Sequence, residues 1–485
     1  MKRKLLFFIC LLFTYTSYGQ YWISLENGFG NSVACGYMRS VCADSKGYIY
    51  VGGEIVNTQE NYSFVPKWDG HQWTELGNGI DIFTGGVGII NAVCTDNLDN
   101  VYATWGNTVM KFNGSIWTKL GNLLALDSIL SGPHTFNQGL GINAICSDKL
   151  GNIYAATGYN IFNQESQSNM DYYYVAKWDG SKWSALGTGL NALNANGSIN
   201  TIATDERGDL YAGGLFTNGT SDFYGSSYVT KWNGTKWASL PDPDTIITNA
   251  VNSIYVVDSN NIYAGGNSLI DTIGFYVAKW DGNKWSRLGT GTAELRGESQ
   301  ILSICVDKYS NVYASTSLYN SNTQQQYYTV VKWDSKMWKE LQGSSAPIGS
   351  YLYIESGEPI ESICTDTSGN IYAIGQPVFN NMSGIGACVA EFTHSTNSQS
   401  LTSVINISSN SNILAYPNPI VENVTIKVTQ AGLLKIYNSL GELVKWQNIV
   451  SGDNVISMIN TSAGIYTIIF TNESSNYLPL KVIKK

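Results

Sequence analysis

The stretch "VAKWDGSKWSALGTGL" (Val175–Leu190) recurs along the chain with few changes. Close copies are "VPKWDGHQWTELGNGI" from Val65, "VTKWNGTKWASL" from Val229 and "VAKWDGNKWSRLGTGT" from Val277. Each copy places β-branched and aromatic residues on both sides of an Asp-Gly or Asn-Gly pair, which predicts two short strands joined by a tight turn. We name these strands C and D. Their recurrence predicts a repeat protein.

A second phrase alternates with the first, and "ICSDKLGNIYAAT" around Asp148 is typical of it. Its Asp-x-x-Gly-Asn segment predicts a tight turn between two further strands, A and B. The phrase returns roughly every 50 to 60 residues, as in propeller repeats. Its anchoring aspartates are at positions 44, 96, 148, 205, 258, 307 and 366, with the copy at Asp258 shifted by one residue. Four strands in each period predict an all-β fold, a β-propeller.

The number of repeats and the way the ring closes follow from strand D. Its W-x-x-L phrase first occurs as Trp22–Leu25, before every other element, and no copy follows Phe392. We therefore expect the N-terminal strand to complete the last blade, which removes two free sheet edges. The sequence predicts a seven-bladed β-propeller over residues 20–395.

Three other segments flank this region. Residues 1–19 have a basic start, an apolar run and small residues near Gly19, as in a secretory signal peptide. Residues 396–412 are predicted to form a Ser/Asn-rich linker. The alternating short apolar segments of residues 413–485 predict a small Ig-like β-sandwich. The net charge of −9 and the lack of a basic stripe argue against nucleic-acid binding. No transmembrane segment is expected in the mature protein, because no other apolar run is long enough.

The cysteines fall into two groups. Five of them share one repeat position and are expected to be small buried hydrophobic residues: Cys42, Cys94, Cys146, Cys305 and Cys364. Cys35 and Cys388 lie off this pattern, and we expect them to form a disulfide after export. With no C-x-x-C pair and three histidines, the chain is expected to bind neither a structural metal nor a cofactor.

The C-terminal segment contains several motifs in a characteristic order. They are Tyr416, Pro417, Asn418 and Pro419, then Gly441, then Gly464 and Tyr466, and finally Lys484 and Lys485. In these motifs the segment resembles the type A sorting domain of the type IX secretion system of Bacteroidetes. The resemblance implies passage through that machinery, then release or anchoring at the outer cell surface. The repeats themselves resemble bacterial secreted propellers of the kelch and NHL kind, which share no single activity.

Most repeated residues are predicted to serve the scaffold. The repeated tryptophans are expected to pack between blades, and the repeated aspartates to cap their own turns rather than bind calcium. We expect loops of varying length in the B–C connections, at 55–63, 159–172, 216–227 and 318–328, and in the D–A connections, at 77–90, 121–141, 241–251 and 342–359. The two kinds of connection emerge at the same end of the ring, so ligand contacts are expected there. Candidate ligand-binding residues at that end are Arg39, Tyr159, Phe216, Tyr224, Tyr319 and Glu361. A structural salt bridge between Arg39 and Glu361 is the alternative for that pair.

Three classes of function remain open at the level of sequence. We favour a monomeric secreted or surface-displayed binding protein that recognises a glycan or another protein. The alternatives are a secreted glycan hydrolase or lyase with acids at the propeller mouth, and a structural component of the surface or matrix. No catalytic residue is assigned, because the chain contains no nucleophile motif or phosphate loop. An enzyme is therefore the less favoured class.

Overall fold

The computed structural model divides the chain into two compact units, residues 1–395 and 396–485. It describes residues 22–392 except 26–32, 78–87, 122, 124–133, 164–167, 188–191, 194, 217–227, 243, 269–274, 296–298, 321–324, 342–358 and 376–387. In the second unit it describes residues 413–484 except 417–419, 421, 439–442, 460, 463, 473–474 and 477–479. The predicted signal peptide and linker lie outside the described residues.

The described part of the first unit contains strands and one short 3-10 turn, Gly291–Ala293. Its strands are β1 (Trp22–Ser24), β2 (Val33–Ala43), β3 (Ile49–Asn57), β4 (Tyr62–Ser63), β5 (Pro66–Trp68), β6 (Trp73–Glu75), β7 (Val93–Thr95), β8 (Val101–Trp105), β9 (Thr108–Phe112), β10 (Trp117–Lys119), β11 (His134–Ser147), β12 (Ile153–Asn163), β13 (Ser168–Trp178) and β14 (Trp183–Ala185). They continue with β15 (Ile199–Thr204), β16 (Leu210–Gly214), β17 (Val229–Trp232), β18 (Trp237–Ser239), β19 (Val251–Asp258), β20 (Asn261–Asn267), β21 (Phe275–Trp280), β22 (Trp285–Arg287), β23 (Ile304–Val306), β24 (Val312–Asn320), β25 (Gln325–Trp333), β26 (Trp338–Glu340), β27 (Ile360–Thr365), β28 (Ile371–Gly375) and β29 (Val389–Phe392).

These strands form seven antiparallel sheets within the described residues of this unit. Sheet 1 contains β2–β6, sheets 2 to 6 contain β7–β10, β11–β14, β15–β18, β19–β22 and β23–β26, and sheet 7 contains β27–β29 with β1. The first strand of each sheet contacts the first strand of the next: β2 contacts β7, then β11, β15, β19, β23 and β27 follow, and β27 contacts β2. The succession closes on itself, so the unit is all-β and propeller-like.

The N-terminal strand completes sheet 7. β1 pairs antiparallel with β29, with Trp22 opposite Phe392 and Ser24 opposite Ala390. The ring centroids of Trp22 and Phe392 lie 5.2 Å apart. The strand-C and strand-D aromatic rings of other sheets pair in the same way. The predicted closure by Trp22–Leu25 corresponds to this pairing.

Buried indoles tie each sheet to the one before it. The strand-D tryptophan donates its Nε1–H to the carbonyl of the W-x-x-L leucine of the preceding sheet, over 2.5–3.0 Å. The pairs are Trp22 with Leu341, Trp73 with Leu25, Trp117 with Leu76, Trp183 with Leu120, Trp237 with Leu186 and Trp338 with Leu288. The seventh, Trp285, has no hydrogen-bond partner for Nε1 among the described residues. Trp22 donates to sheet 6 and Leu25 accepts from sheet 1, so β1 and the residue after it join sheet 7 to both of its neighbours.

Hydroxyl side chains protect the free edges of the innermost strands. Ser362 Oγ accepts from the backbone N–H of Val41 in the next sheet, and Ser303 Oγ accepts from that of Ile363. Ser40, Thr201 and Ser253 accept in the same way from Val93, Ile254 and Ile304. Unpaired edge groups are a liability in any open sheet. Among the described residues, five of the seven junctions have such a hydroxyl acceptor.

Two expected B–C loops are largely strand. Segments 159–172 and 318–328 were predicted as loops, which is wrong. β12 and β13 pair continuously, from Ile153 opposite Trp178 to Asn163 opposite Ser168. β24 and β25 pair as far as Asn320 opposite Gln325. Asn, Gln and Ser outnumber Tyr, Ile, Phe and Thr in these segments, but the latter residues favour extended backbone and are compatible with the long hairpins. They carry sheets 3 and 6 past the ends of their neighbours.

The second unit has two antiparallel sheets over one apolar core. Its strands are β30 (Ile413–Tyr416), β31 (Asn423–Val428), β32 (Gly432–Tyr437), β33 (Leu443–Ile449), β34 (Gly452–Ser457), β35 (Gly464–Asn472), β36 (Ser475–Asn476) and β37 (Leu480–Lys484). One sheet has the order β30-β31-β34, and in the other β32 and β35 are central, flanked by β33, β36 and β37. Alternate residues such as Val424, Ile426 and Val428 point into the core. This period of two makes each strand one-sided.

Cys35 and Cys388 meet at the closure of the ring. Cys35 lies on β2, and Cys388 immediately precedes β29. Their sulfur atoms are 2.13 Å apart and their Cα atoms 7.1 Å apart, just above the usual Cα–Cα range of a disulfide. The two residues are separated by 353 positions in sequence. A bond here joins sheet 1 to sheet 7.

The indole bonds can be tested with a matched pair of tryptophans. Trp117 and Trp285 are both 1% exposed, but only Trp117 has an acceptor, the Leu76 carbonyl. Trp117→Phe leaves that carbonyl unsatisfied, so it should lower the free energy of unfolding by about 1–3 kcal/mol more than Trp285→Phe. Denaturant titrations of both variants measure this difference. Equal losses would show that the indole bonds add nothing to packing.

The cysteine pair can be tested by chemical mapping. We expect a non-reducing digest to yield one linked peptide pair containing Cys35 and Cys388. Replacing both residues by serine should lower the free energy of unfolding by up to about 5–6 kcal/mol, the chain-entropy limit for a loop this long. Mass spectrometry and denaturant titration provide the two measurements. Recovery of Cys35 as a free thiol from the oxidised protein would contradict the pairing.

Candidate functional site

Six of the seven A–B turns are built around an aspartate bonded to a strand-B tyrosine, and this aspartate is buried in five of them. In sheet 3, Asp148 Oδ1 accepts from the backbone N–H groups of Leu150 and Asn152, and Oδ2 accepts from the Tyr154 hydroxyl at 2.9 Å. Burial and this carboxylate raise the pKa of Tyr154 well above its usual range. The same aspartate–tyrosine bond occurs for Asp44, Asp96, Asp205, Asp307 and Asp366 with Tyr50, Tyr102, Tyr211, Tyr313 and Tyr372. These carboxylates are occupied by the turn, as expected.

The shifted fifth copy departs from this arrangement. Asp258 accepts from the backbone N–H of Asn260 and from the side chain of Asn261. A register shift between Val256 and Asp258 accompanies the change. The one-residue shift in the sequence therefore has a structural counterpart.

A lysine of strand C lies over each strand-B tyrosine in five sheets. The Nζ atom lies 5.2–5.6 Å from the ring centroid for Lys111, Lys177, Lys231, Lys279 and Lys332. In sheet 1, Lys67 lies 3.6 Å from the ring centroid of Tyr48 instead. In sheet 7 the position is occupied by Glu391, which is buried. The lysines thus serve the scaffold as cation–π partners.

The five repeated cysteines are free thiols. Burial raises the pKa of each one well above its usual range, and neighbouring aspartates add to the effect. A reactive cysteine needs the thiolate, which these surroundings disfavour. Their arrangement matches the expected role as small packing residues rather than nucleophiles.

On the first strand of each sheet, the residue five positions before the anchoring aspartate (six in the shifted fifth copy) mostly bonds within the scaffold. Asn143, Asn200 and Asn252 donate from Nδ2 to the carbonyls of Ile199, Val251 and Ile301 in the following sheets. Arg39 and Glu361 occupy the same position on β2 and β27, which contact one another. The Arg39 guanidinium is exposed and lies 5.8 Å from the ring centroid of Tyr37. A binding role for Arg39 and Glu361 stays a prediction.

The candidate aromatic residues lie on separate sheets. Tyr319 is 54% exposed on β24. The backbone of Tyr159 lies on β12, opposite Tyr172. Phe216 is 1% exposed and packs with Leu193 and Ile199, so the expectation of an exposed Phe216 is wrong. Its apolar ring fills the core beside β16, which its loop-like sequence context did not reveal. Tyr224 lies outside the described residues.

A depression of about 440 Å³ opens beside sheet 6. It is lined by Thr292, Glu294, Leu295, Leu318, Val331, Trp338, Lys339 and Glu340. Tyr327 donates its hydroxyl to Glu340 Oε2 at 3.2 Å, and Arg287 Nη1 lies 3.9 Å from Glu294 Oε1. The lining therefore combines an apolar floor with two carboxylates. Sequence reasoning missed this site because no repeated motif marks its walls, which come from one D–A connection and the three strands β24–β26.

The opposite end of the ring, formed by the A–B turns, has a second depression. It measures about 310 Å³ and includes the turn aspartates 96, 148 and 205 with Lys149 and Glu206. Lys149 and Glu206 form an exposed ion pair of 2.9 Å between neighbouring turns. Leu150 projects at the tip of its turn, with 87% of its surface exposed. The polar groups here are engaged with each other or with their own turns.

Neither metal-binding nor membrane-spanning features were found where the chain is described. Within those ranges, no group of three or more His, Cys, Asp or Glu side chains is arranged to hold a metal ion. The described residues also contain no helix long and apolar enough to cross a bilayer.

The sorting motif residues serve the core of the second unit. Tyr466 is buried and donates its hydroxyl to the Ser462 carbonyl at 2.7 Å. Lys484 is 7% exposed, and its Nζ donates to the carbonyls of Thr461 and Ile459. Gly464 begins β35 with φ +156°, and the backbone of Tyr416 pairs with Thr425. Pro417, Asn418, Pro419, Gly441 and Lys485 lie outside the described residues.

Comparison with known structures gives distant similarities. PorZ, an essential surface component of the type-IX secretion system of Porphyromonas gingivalis, is 17% identical with a TM-score of 0.46. That match covers 92% of this chain and 59% of PorZ, so the chain spans about three fifths of the length of PorZ. Sqt1 of Chaetomium thermophilum (12% identity, TM-score 0.40) and a gluconolactonase of Xanthomonas campestris (11%, 0.33) each match 77% of this chain. The matches cover 100% and 88% of those chains. No curated protein matches the sequence.

The C-terminal unit has a match among protein families. Residues 414–485 match the family model described as a secretion system C-terminal sorting domain. This range coincides with β30–β37 and with the core that contains Tyr466. Residues 414–485 are therefore a C-terminal sorting domain of the type IX secretion system, and the protein is exported to the cell surface or beyond it.

Proposed function

We propose that the first unit is a seven-bladed β-propeller of the kelch/NHL kind, and that it acts as a secreted or surface-displayed binding protein. Its ligand is a glycan or another protein, and it binds at the end of the ring formed by the B–C and D–A connections. This reading rests on both units together, because export by the sorting domain places the ring outside the cell. The second unit would then be an Ig-like sandwich.

The depression beside sheet 6 is the observation that carries the proposal. The repeated aspartates, indoles and asparagines bond within the scaffold. This site instead brings Glu294, Lys339 and Glu340 around an apolar floor, where they contact Arg287, Asp334 and Tyr327. A floor of Leu318 and Trp338 with carboxylates at its rim suits a sugar, which offers an apolar ring face and hydroxyl donors. Its volume of about 440 Å³ is within the usual range for small-ligand sites.

A glycan array screened with residues 20–412 tests ligand recognition. We expect binding that Glu340→Gln weakens about tenfold or more, because a hydrogen bond to a charged acceptor contributes roughly 1.5–3 kcal/mol. Titration calorimetry on the array hit measures the change. Leu150→Ala, at the exposed tip of an A–B turn, is the matched control and should bind normally.

The outcome also identifies the end of the ring that is used. If Leu150→Ala abolishes binding while Glu340→Gln and Tyr319→Ala do not, the ligand uses the A–B end instead. If no glycan or protein binds, the role of a structural surface component is favoured.

A glycan hydrolase or lyase is the second candidate, and one observation favours it. Glu294 and Glu340 line the same depression, and a pair of carboxylates is what glycoside hydrolysis needs. Incubating the array hit with the protein and analysing the products distinguishes the two functions. Cleavage that both Glu294→Gln and Glu340→Gln abolish would establish the enzyme, and an intact ligand would establish the binder.

The role of the tail can be tested separately. Deleting residues 413–485 should trap the protein in the periplasm, because the sorting domain carries the signal for the outer-membrane step. The first unit should keep its melting temperature, since its core clusters contain no residue of the second unit. Cell fractionation and thermal melts measure both effects against the full-length chain. Normal surface appearance of the truncated protein would contradict this role.

A further inference from the structure

Sheet 7 differs from the other sheets at one position of strand C. The lysine that lies over a tyrosine ring elsewhere is replaced by Glu391 on β29. In register, Glu391 lies opposite Tyr372 of β28 on one side and Ile23 of β1 on the other. The substitution therefore falls on the strand that receives the N-terminal strand and closes the ring.

Two carboxyl groups meet at this place without a lysine between them. Glu391 is 9% exposed, and the carboxylate of Asp366 lies close enough to interact with it. Tyr372 lies opposite Glu391 in register and donates its hydroxyl to Asp366 Oδ2 at 3.4 Å, and the same hydroxyl interacts with Glu391. In sheet 4, by contrast, Lys231 forms a 2.7 Å ion pair with Asp209 at the same kind of turn.

The other titratable groups around this cluster do not supply the missing charge. β27 contributes the Cys364 thiol, and β2 of the next sheet contributes the Cys42 thiol, which interacts with it. β1 contributes Trp22, Ile23 and Ser24, which do not titrate. The ammonium of Lys308 is engaged at the tip of the turn, where it donates to the Thr367 carbonyl at 3.0 Å.

The pKa of Glu391 is raised to about 7 from an ordinary value of 4.5, chiefly by burial and also by the Asp366 carboxylate. The interaction with the Tyr372 hydroxyl acts in the opposite direction and is included in this value. A free carboxyl in the unfolded chain titrates near 4.5. Between these two values the folded protein holds a proton that the unfolded chain has lost.

We propose that the junction of β1 with β29 is a pH-dependent closure of the ring, held tightly when Glu391 is protonated and loosened when it ionises. A protonated carboxyl can share its hydrogen with Asp366 or Tyr372, whereas an ionised, buried Glu391 and the neighbouring Asp366 carboxylate repel each other. Because the folded-state pKa is raised, the stabilisation is fully present below about pH 4.5 and is lost as the pH rises towards 7. The proposal does not depend on which ligand the ring binds.

Hydrogen exchange of the two outer strands tests this closure. In the full-length protein, the peptide that contains Trp22–Leu25 should exchange at least threefold faster at pH 7.5 than at pH 5.0, after correction for the chemical exchange rate. The peptide that contains Trp183–Ala185 is the matched control, because it forms the outer strand of sheet 3, where Lys177 is present. Its corrected rate should not change with pH.

Two substitutions separate charge from packing. Glu391→Gln keeps the size of the side chain and cannot ionise, so it should remove the pH dependence at Trp22–Leu25 and match wild-type exchange at pH 5.0. Glu391→Lys restores the residue of the other sheets and should slow exchange at pH 7.5. Wild-type exchange that is equal at both pH values, or a pH dependence that persists in Glu391→Gln, would overturn the proposal.

Discussion

Six of the seven strand-D tryptophans donate their buried indole N–H to a carbonyl of the preceding sheet, and Trp285 is the exception among the described residues. The bond from Trp183 to the Leu120 carbonyl and that from Trp237 to the Leu186 carbonyl show the rule. An unmet donor in an apolar core costs about 1–3 kcal/mol, so each of these six sheets depends on its predecessor. β1 is required by the same logic, because Leu25 accepts from Trp73 and Trp22 donates to Leu341.

The turn aspartates impose a second constraint, which acts within each sheet. A carboxylate such as Asp307 accepts from two backbone N–H groups and from Tyr313, leaving little capacity for an external cation. The lysine over the tyrosine ring then balances a charge that would otherwise be buried alone. Repetition of this set explains why the A–B end is uniform. It also explains why one exception, Glu391, has local consequences.

Much of this fold was accessible from the sequence because the repeats report on local geometry. Asp-x-x-Gly-Asn specifies its own turn, and W-x-x-L marks an outer strand, so Trp22 could be assigned to sheet 7 without coordinates. Long-range properties were not accessible in this way. The burial of Phe216 depends on Leu193 and Ile199, and the depression with Glu294 and Glu340 depends on segments brought together only by folding. The extended hairpin of β12 and β13 was misread because variable length was taken to mean loop.

A bond between Cys35 and Cys388 would turn an open chain into a covalent circle that contains nearly the whole ring. Proteins outside the cell meet proteases, and cleavage normally begins at exposed connections such as those between sheets. A single cut between these two cysteines would leave both fragments attached to each other and to the sheets they share. The nicked molecule would keep its shape and separate into pieces only under combined reduction and unfolding. Durability of this kind comes from connectivity rather than from a higher barrier to cleavage.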